Sequence, residues 1–122
     1  MSKKILVVED TEDNRQILRD LLGMAGYDML EAHDGAEGVA KASEHKPDLI
    51  LMDIQMPVMD GYEATRQIKA NPELKGIPIV AVTSYALSGD EEKARAAGCD
   101  AYIAKPYSPR QMLAKVREVL GA

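Results

Sequence analysis

Short apolar runs alternate with amphipathic stretches along the whole chain. Three of the runs are continuously apolar, at residues 5–8, 49–52 and 79–82. Runs of this kind are typical of parallel strands that helices cover on both faces. Residues 27–32 contain two acids and residues 101–104 are short, so we place these two weaker candidates at the sheet edges. The pattern therefore predicts five strands, of which three are central.

The stretches between the strands carry helical signals. Five apolar positions of the first helix recur at spacings of one, three and four, as in a single buried stripe: Ile17, Leu18, Leu21, Leu22 and Ala25. Asp34 is predicted to cap the second helix. The third is predicted over residues 62–71, where Pro72 ends it.

The last two helices have chemical start signals. Acidic residues at 90–92 favour the start of a fourth helix, because negative charge is stabilised at a helix N-terminus, and Gly98 would close it. The fifth helix, residues 108–120, begins with a Ser N-cap, a Pro at the first helical position and a Gln capping-box partner.

Strict alternation of five strands with five helices predicts an α/β fold. With the second and fifth strands at the edges, it fits the flavodoxin-like (βα)5 three-layer sandwich, whose parallel sheet has the order 2-1-3-4-5. Right-handed crossovers leave few competing topologies. In this arrangement the crevice outside the carboxyl ends of strands 1 and 3 is the expected binding site.

Polar residues stand where four of the predicted strands end. Glu9 and Asp10 follow strand 1, Asp53 follows strand 3, Thr83 follows strand 4 and Lys105 follows strand 5. Two carboxylates brought to ~4 Å repel by about 4 kcal/mol at an effective dielectric of 20. Three crowded acids therefore require a raised pKa or a cation. Hard oxygen ligands in a pocket open to water suit Mg²⁺.

A carboxylate beside such a cation can act as a nucleophile and form an aspartyl phosphate. We select Asp53, because it stands alone on the strand that faces the acid pair. Lys105 would hold one phosphoryl oxygen as a point charge and the Thr83 hydroxyl another. The sequence has no Gly-x-x-x-x-Gly-Lys-Ser/Thr loop to grip ATP, so the phosphoryl group is expected from elsewhere.

Composition restricts the function classes. The 122 residues predict one soluble domain, and the net charge of −5 argues against nonspecific binding to nucleic acid or to an anionic membrane. No apolar run approaches the ~20 residues of a membrane span, and no signal peptide precedes the first strand. Cys99 has no partner for an internal disulfide, and we expect it to be a small buried apolar residue. A cytoplasmic protein without membrane insertion is expected.

Four blocks of sequence, in this order and spacing, resemble the signature blocks of bacterial two-component receiver domains. They are Val-Glu-Asp at 8–10, Met-Asp-Ile-Gln-Met-Pro-Val-Met-Asp-Gly at 52–61, Ala-Val-Thr-Ser at 81–84 and Ala-Lys-Pro at 104–106. The resemblance covers the whole chain and is closest to stand-alone receivers of the CheY and DivK type.

The resemblance implies a magnesium site. Asp10 and Asp53 would bind Mg²⁺ directly together with the backbone carbonyl of Gln55, and Glu9 would act through a metal-bound water. Asp53 would accept a phosphoryl group from a histidine kinase or a histidine phosphotransfer protein.

The resemblance also implies a switch. Thr83 and Lys105 would contact the phosphoryl group, and Tyr102 would swing between outward and inward positions as Thr83 moves. The Lys105–Pro106 bond is usually cis in this family.

These implications predict a signalling switch rather than an enzyme, one that catalyses only its own phosphoryl uptake and autodephosphorylation. We expect a single receiver domain over residues 1–122 without an output domain, since residues 120–122 end the last helix. Such a chain would report by binding a downstream protein, or pass its phosphoryl group to a phosphotransfer protein, as a monomer or weak dimer.

Three alternatives belong to other classes. A haloacid-dehalogenase-type phosphatase requires a second Asp two residues after the nucleophile, where this chain has Gln55. A flavodoxin-like electron carrier requires a Ser/Thr-rich loop after strand 1, where the acids within residues 9–13 would repel a flavin phosphate. The third alternative is a receiver that works without phosphate. The complete set of acids, Thr83 and Lys105 argues against it.

Overall fold

The computed structural model describes residues 3–54, 59–83 and 90–121. Strands and helices alternate along these residues. The strands are β1 (Lys4–Val8), β2 (Asp28–Ala32), β3 (Leu49–Asp53), β4 (Ile79–Thr83) and β5 (Ala101–Ala104). The helices are α1 (Glu12–Met24), α2 (Gly35–His45), α3 (Gly61–Ala70), α4 (Asp90–Ala97) and α5 (Pro109–Leu120).

The sheet has the order β2-β1-β3-β4-β5, and each neighbouring pair is parallel, as the sequence predicts. The register aligns the carboxyl ends of the strands. Val8 pairs with Met52, Asp53 with Val82, and Thr83 with Ala104. The residues at the ends of four strands therefore meet along one edge.

Each face of the sheet has its own hydrophobic core, because successive side chains of a strand point to opposite faces. Ile5 and Val7 of β1 belong to the core beneath α1 and α5, whereas Leu6 and Val8 belong to the core beneath α2 and α3. All positions of β3 and β4 are buried. Burial on both faces explains why the central strands are continuously apolar.

Local chemistry sets the helix ends. The Asp34 side chain accepts a hydrogen bond from the backbone N–H of Glu37, and Ser108 and Gln111 form a capping box at the start of α5. Gly26 follows the end of α1 at a φ of +88°, where a residue without Cβ is favoured. The caps predicted at Asp34 and Ser108 are confirmed, and α3 is displaced from its predicted bounds by only one residue at each end.

The predicted apolar stripe of α1 is wrong at Ile17, which is 57% exposed. The buried residues of this helix are Arg15, Leu18 and Leu22, at spacings of three and four. Ile17 is one residue, or about 100°, away from Leu18 and so lies on the outer side. The buried face of α1 therefore includes a guanidinium, which the apolar pattern did not indicate.

Every helix in the described ranges is too short or too polar to cross a bilayer.

Candidate functional site

The carboxyl edge of the sheet brings three acids together. One carboxylate oxygen from each of Glu9, Asp10 and Asp53 lies within 4.8 Å of the others. Glu9 and Asp53 are each 4% exposed, whereas Asp10 is open to solvent. The acid cluster predicted from the strand ends is therefore present, with one side accessible to water.

Lys105 places a positive charge against this cluster. Its Nζ lies 3.1 Å from Oε1 of Glu9 and 3.4 Å from Oδ2 of Asp53. The backbone N–H of Lys105 donates to the carbonyl of Thr83 at 2.6 Å, and the Lys105–Pro106 peptide bond is cis. Burial alone would lower the pKa of Lys105, but the charges of Asp53 and Glu9 outweigh burial and raise it. The side chain is an ammonium ion.

Glu9 is held ionised by its neighbours. Its Oε2 accepts the backbone N–H of Thr11 at 2.9 Å, and its Oε1 accepts the side-chain amide of Asn14 at 3.3 Å. Burial alone would raise the pKa of Glu9, but the Thr11 N–H, the hydrogen-bonding interactions with Asp10 and Asp53, and the charge of Lys105 lower it to about 2. The hydrogen bond shared with Glu9 raises the pKa of Asp10.

Thr83 ends β4, the strand between those that lead to Asp53 and Lys105. It is 2% exposed, and its Oγ1 has no hydrogen-bond partner among the described residues. A buried hydroxyl without a partner costs about 1–3 kcal/mol. Such a cost, beside an acid cluster, is consistent with a hydroxyl that binds a ligand oxygen.

Tyr102 lies on the same face of the sheet as Thr83, because it pairs with Ala81, two residues earlier on β4. Its ring is half-buried and packs against Ile54, Ala81 and Ala94. It also borders a pocket of about 290 Å³ lined by α4, β5 and α5. Tyr102 and Thr83 therefore face the same side of the sheet.

Two sequence expectations have other outcomes here. Gln55, whose backbone carbonyl is predicted to bind Mg²⁺, lies outside the described residues. Cys99 is only half-buried, and its Sγ lies 3.7 Å from Oγ1 of Thr65. Burial raises the pKa of the Cys99 thiol, so it is not activated as a nucleophile.

Gly61 allows α3 to begin directly on the end of β3. A Cβ at this position would clash with the backbone carbonyl of Asp53 and lie 2.8 Å from Cα of Ile54. The Gly61 N–H donates to the Ile54 carbonyl at 3.0 Å, and Asp60 caps the helix by accepting from Glu63. Sequence reasoning missed this role. The Asp-Gly pair before an amphipathic helix was the available signal in the sequence. The close approach of Gly61 to the Asp53 backbone, however, forms only when α3 packs on β3.

A family model described as the response regulator receiver domain matches residues 5–117. The polar-differentiation response regulator DivK of Brucella anthropi is 45% identical over 121 residues, which cover 99% of this chain and 98% of that protein.

Two solved structures of other proteins share the fold. The receiver domain of the sensor histidine kinase PA1611 from Pseudomonas aeruginosa, solved with magnesium coordinated in its active-site cleft, is 36% identical with a TM-score of 0.92, and each chain is covered completely. The receiver domain of Ssk1 from Saccharomyces cerevisiae, crystallised with the histidine phosphotransfer protein Ypd1, is 31% identical with a TM-score of 0.90. The match covers 97% of this chain and 88% of that one.

The contact at Gly61 predicts that Gly61→Ala destabilises the protein by about 1–3 kcal/mol, as expected when a tightly packed position is overfilled. Gly23→Ala is the control, because a Cβ at Gly23 in α1 meets nothing within 4 Å. That substitution should stabilise the protein by about 0.5–1 kcal/mol through helix propensity. Urea unfolding measures both, and a Gly61→Ala protein as stable as the parent would contradict the proposed contact.

Proposed function

This chain belongs to the response regulator receiver domain family, a family of phosphorylation-activated signalling switches, and we propose that Asp53 is its phosphoryl acceptor. The observation that carries this proposal is the Lys105 ammonium, 3.4 Å from Oδ2 of Asp53 and 3.1 Å from Oε1 of Glu9. Asp53 is the cluster acid that ends the central strand β3, and its carboxylate lies beside the lysine. Glu9 is already bound by Thr11 and Asn14.

The three acids suit Mg²⁺, which prefers hard oxygen ligands and retains several waters. Asp10 and Asp53 would hold the ion directly together with the carbonyl of Gln55, and Glu9 would act through a water. When bound, the ion supplies positive charge that offsets the carboxylates and the phosphoryl oxygens. The solvent-exposed side of Asp10 leaves an approach for a hydrated cation.

The chain's own residues then provide the remaining chemistry. An oxygen of the Asp53 carboxylate forms the new bond to phosphorus while the phosphorus–nitrogen bond of a phosphohistidine breaks, and the departing imidazole takes a proton from water. Lys105 holds one phosphoryl oxygen by charge. The Thr83 hydroxyl donates to another and so gains the partner it lacks among the described residues. Positioning and charge are most of what phosphoryl transfer requires.

The donor in this proposal is a histidine kinase or a histidine phosphotransfer protein. The crystallised pair of Ypd1 and the Ssk1 receiver supports a partner of this class. The protein then reports by binding a downstream protein, as a monomer or weak dimer in the cytoplasm, and hydrolyses its own aspartyl phosphate. The half-buried free thiol of Cys99 is compatible with a reducing compartment.

The switch proposal connects Thr83 to Tyr102. When the Thr83 hydroxyl moves toward a phosphoryl oxygen on Asp53, space on that face of the sheet becomes available to the Tyr102 ring. The ring borders the pocket between α4, β5 and α5, so its inward movement alters the surface that a partner meets. Phosphorylation thereby changes the populations of two states of this surface.

Acetyl phosphate with Mg²⁺ should add one phosphoryl group to the parent protein, and Asp53→Asn should abolish the addition. Asp60→Asn is the matched control: this exposed acid lies outside the cluster and caps α3, a role that Asn performs equally well. Borohydride reduction of the aspartyl phosphate should yield homoserine at position 53 by peptide mass spectrometry. Homoserine at position 10, 2-amino-5-hydroxypentanoic acid at position 9, or full labelling of Asp53→Asn would overturn the assignment.

Thr83→Ala should still be phosphorylated but should respond weakly to activation, because the hydroxyl that links Asp53 to Tyr102 is absent. Amide chemical shifts of β5 and α4, recorded with and without beryllofluoride, measure the response. Thr83→Ser retains the hydroxyl and should respond as the parent does. An unchanged response in Thr83→Ala would contradict the proposed coupling.

A further inference from the structure

Arg15 is a buried charge that the proposed chemistry does not use. It is 5% exposed and projects from α1 toward the end of β1. Its Nη1 donates a buried hydrogen bond of 2.7 Å to the backbone carbonyl of Glu9. This carbonyl belongs to the peptide group that joins Glu9 to Asp10, two of the three acids in the cluster.

The guanidinium is itself held from two sides. Its Nη2 donates to Oε2 of Glu12 at 2.6 Å, within the same helix. Its Nε lies 3.2 Å from Oε1 of Glu31 on β2, an ionic contact without hydrogen-bond geometry among the described residues. The hydrogen bond from Arg15 lowers the pKa of Glu12, so the charge partner is a carboxylate. Arg15 thus connects α1, β2 and the end of β1.

We propose that Arg15 is a positioning residue of the metal site, which fixes the peptide group between Glu9 and Asp10 so that both carboxylates face the cation. A peptide group is planar, so holding its oxygen also fixes the direction in which the Asp10 backbone leaves it. The Thr11 N–H, one residue further, then reaches the Glu9 carboxylate at 2.9 Å. This inference rests on the proposed function, because it requires that the acids bind Mg²⁺.

Charge and geometry predict opposite changes in Mg²⁺ affinity when Arg15 is removed. Removing a positive charge near the acids would, by electrostatics alone, strengthen the binding of Mg²⁺. Releasing the peptide group would weaken it, since loss of an outer group that orients metal ligands typically costs 10–100-fold in metal affinity. The direction of the change therefore separates positioning from a background electrostatic effect.

Arg19 provides a matched control on the same helix. It binds Glu31 through two hydrogen bonds, of 2.9 and 2.6 Å, and Glu12 through one of 3.2 Å. It therefore shares both carboxylate partners of Arg15, yet none of its described bonds reaches Glu9. Arg19→Met removes a charge from the same network without releasing the peptide group.

The experiment is a titration of the metal-free proteins with MgCl₂, followed by amide chemical shifts. Arg15→Met should raise the Mg²⁺ dissociation constant about tenfold or more, and Arg19→Met should leave it within about twofold. Arg15→Lys, which retains the charge and one possible donor, should fall between the parent and Arg15→Met. The Thr11 amide should shift upfield in metal-free Arg15→Met, because its hydrogen bond to the Glu9 carboxylate loosens, and should not shift in Arg19→Met.

The outcomes separate this inference from the proposed function. If the parent binds Mg²⁺ and Asp10→Asn weakens that binding, the metal site is supported. If Arg15→Met then binds Mg²⁺ as tightly as the parent does, only the role of Arg15 is overturned. If the parent does not bind Mg²⁺, the metal site and the role of Arg15 both fall. Should Arg15→Met fail to fold, Arg15→Lys decides: binding at least as tight as in the parent overturns the inference.

Discussion

Repulsion among three carboxylates at one edge of the sheet is the constraint on which the site depends. The parallel register brings Glu9 and Asp53 side by side, with Asp10 immediately after, and their oxygens lie within 4.8 Å. At an effective dielectric of 20, a pair of charges at ~4 Å repels by about 4 kcal/mol. The Lys105 ammonium and the donors to Glu9 reduce this cost.

At the opposite edge of the sheet, one lysine is balanced by one aspartate and two backbone carbonyls. There, Nζ of Lys69 donates to the carbonyls of Lys75 and Ile77 and to the carboxylate of Asp100, at 2.8–3.0 Å. Asp100 also accepts the backbone N–H of Ile79 at 2.8 Å. Charges at this edge stabilise turns, whereas at the carboxyl edge three acids of the described residues face the Lys105 ammonium. The excess of negative charge, together with the Thr83 hydroxyl, is what favours a cation and phosphoryl oxygens there.

Features that depend on local sequence could be predicted. The central strands are continuously apolar because both of their faces are covered, and the caps at Asp34 and Ser108 depend on residues three positions away. The acid cluster could be predicted from the polar residues at the strand ends once the sheet order was assigned. These signals need no knowledge of side-chain contacts.

Features that depend on distant partners could not be predicted. Ile17 was expected to be buried, and the burial of Arg15 was not predicted. The partners that allow this guanidinium to be buried are the backbone carbonyl that follows β1 and a carboxylate on β2. The contact of Gly61 with the Asp53 backbone likewise exists only after α3 packs on β3. The strand order placed Lys105 at the carboxyl edge, but its ion pairs with Glu9 and Asp53 join residues 96 and 52 positions apart.

Urea unfolding with and without Mg²⁺ tests the carboxylate repulsion most directly. In the absence of metal at neutral pH, Asp10→Asn should be more stable than the parent, whereas Asp28→Asn, which changes an exposed acid at the start of β2, should not be. Mg²⁺ at a hundredfold excess over its dissociation constant should stabilise the parent by about 2.7 kcal/mol, and Asp10→Asn at the same concentration by much less. Equal metal-free stability of the parent and Asp10→Asn, together with an equal response to Mg²⁺, would contradict the account.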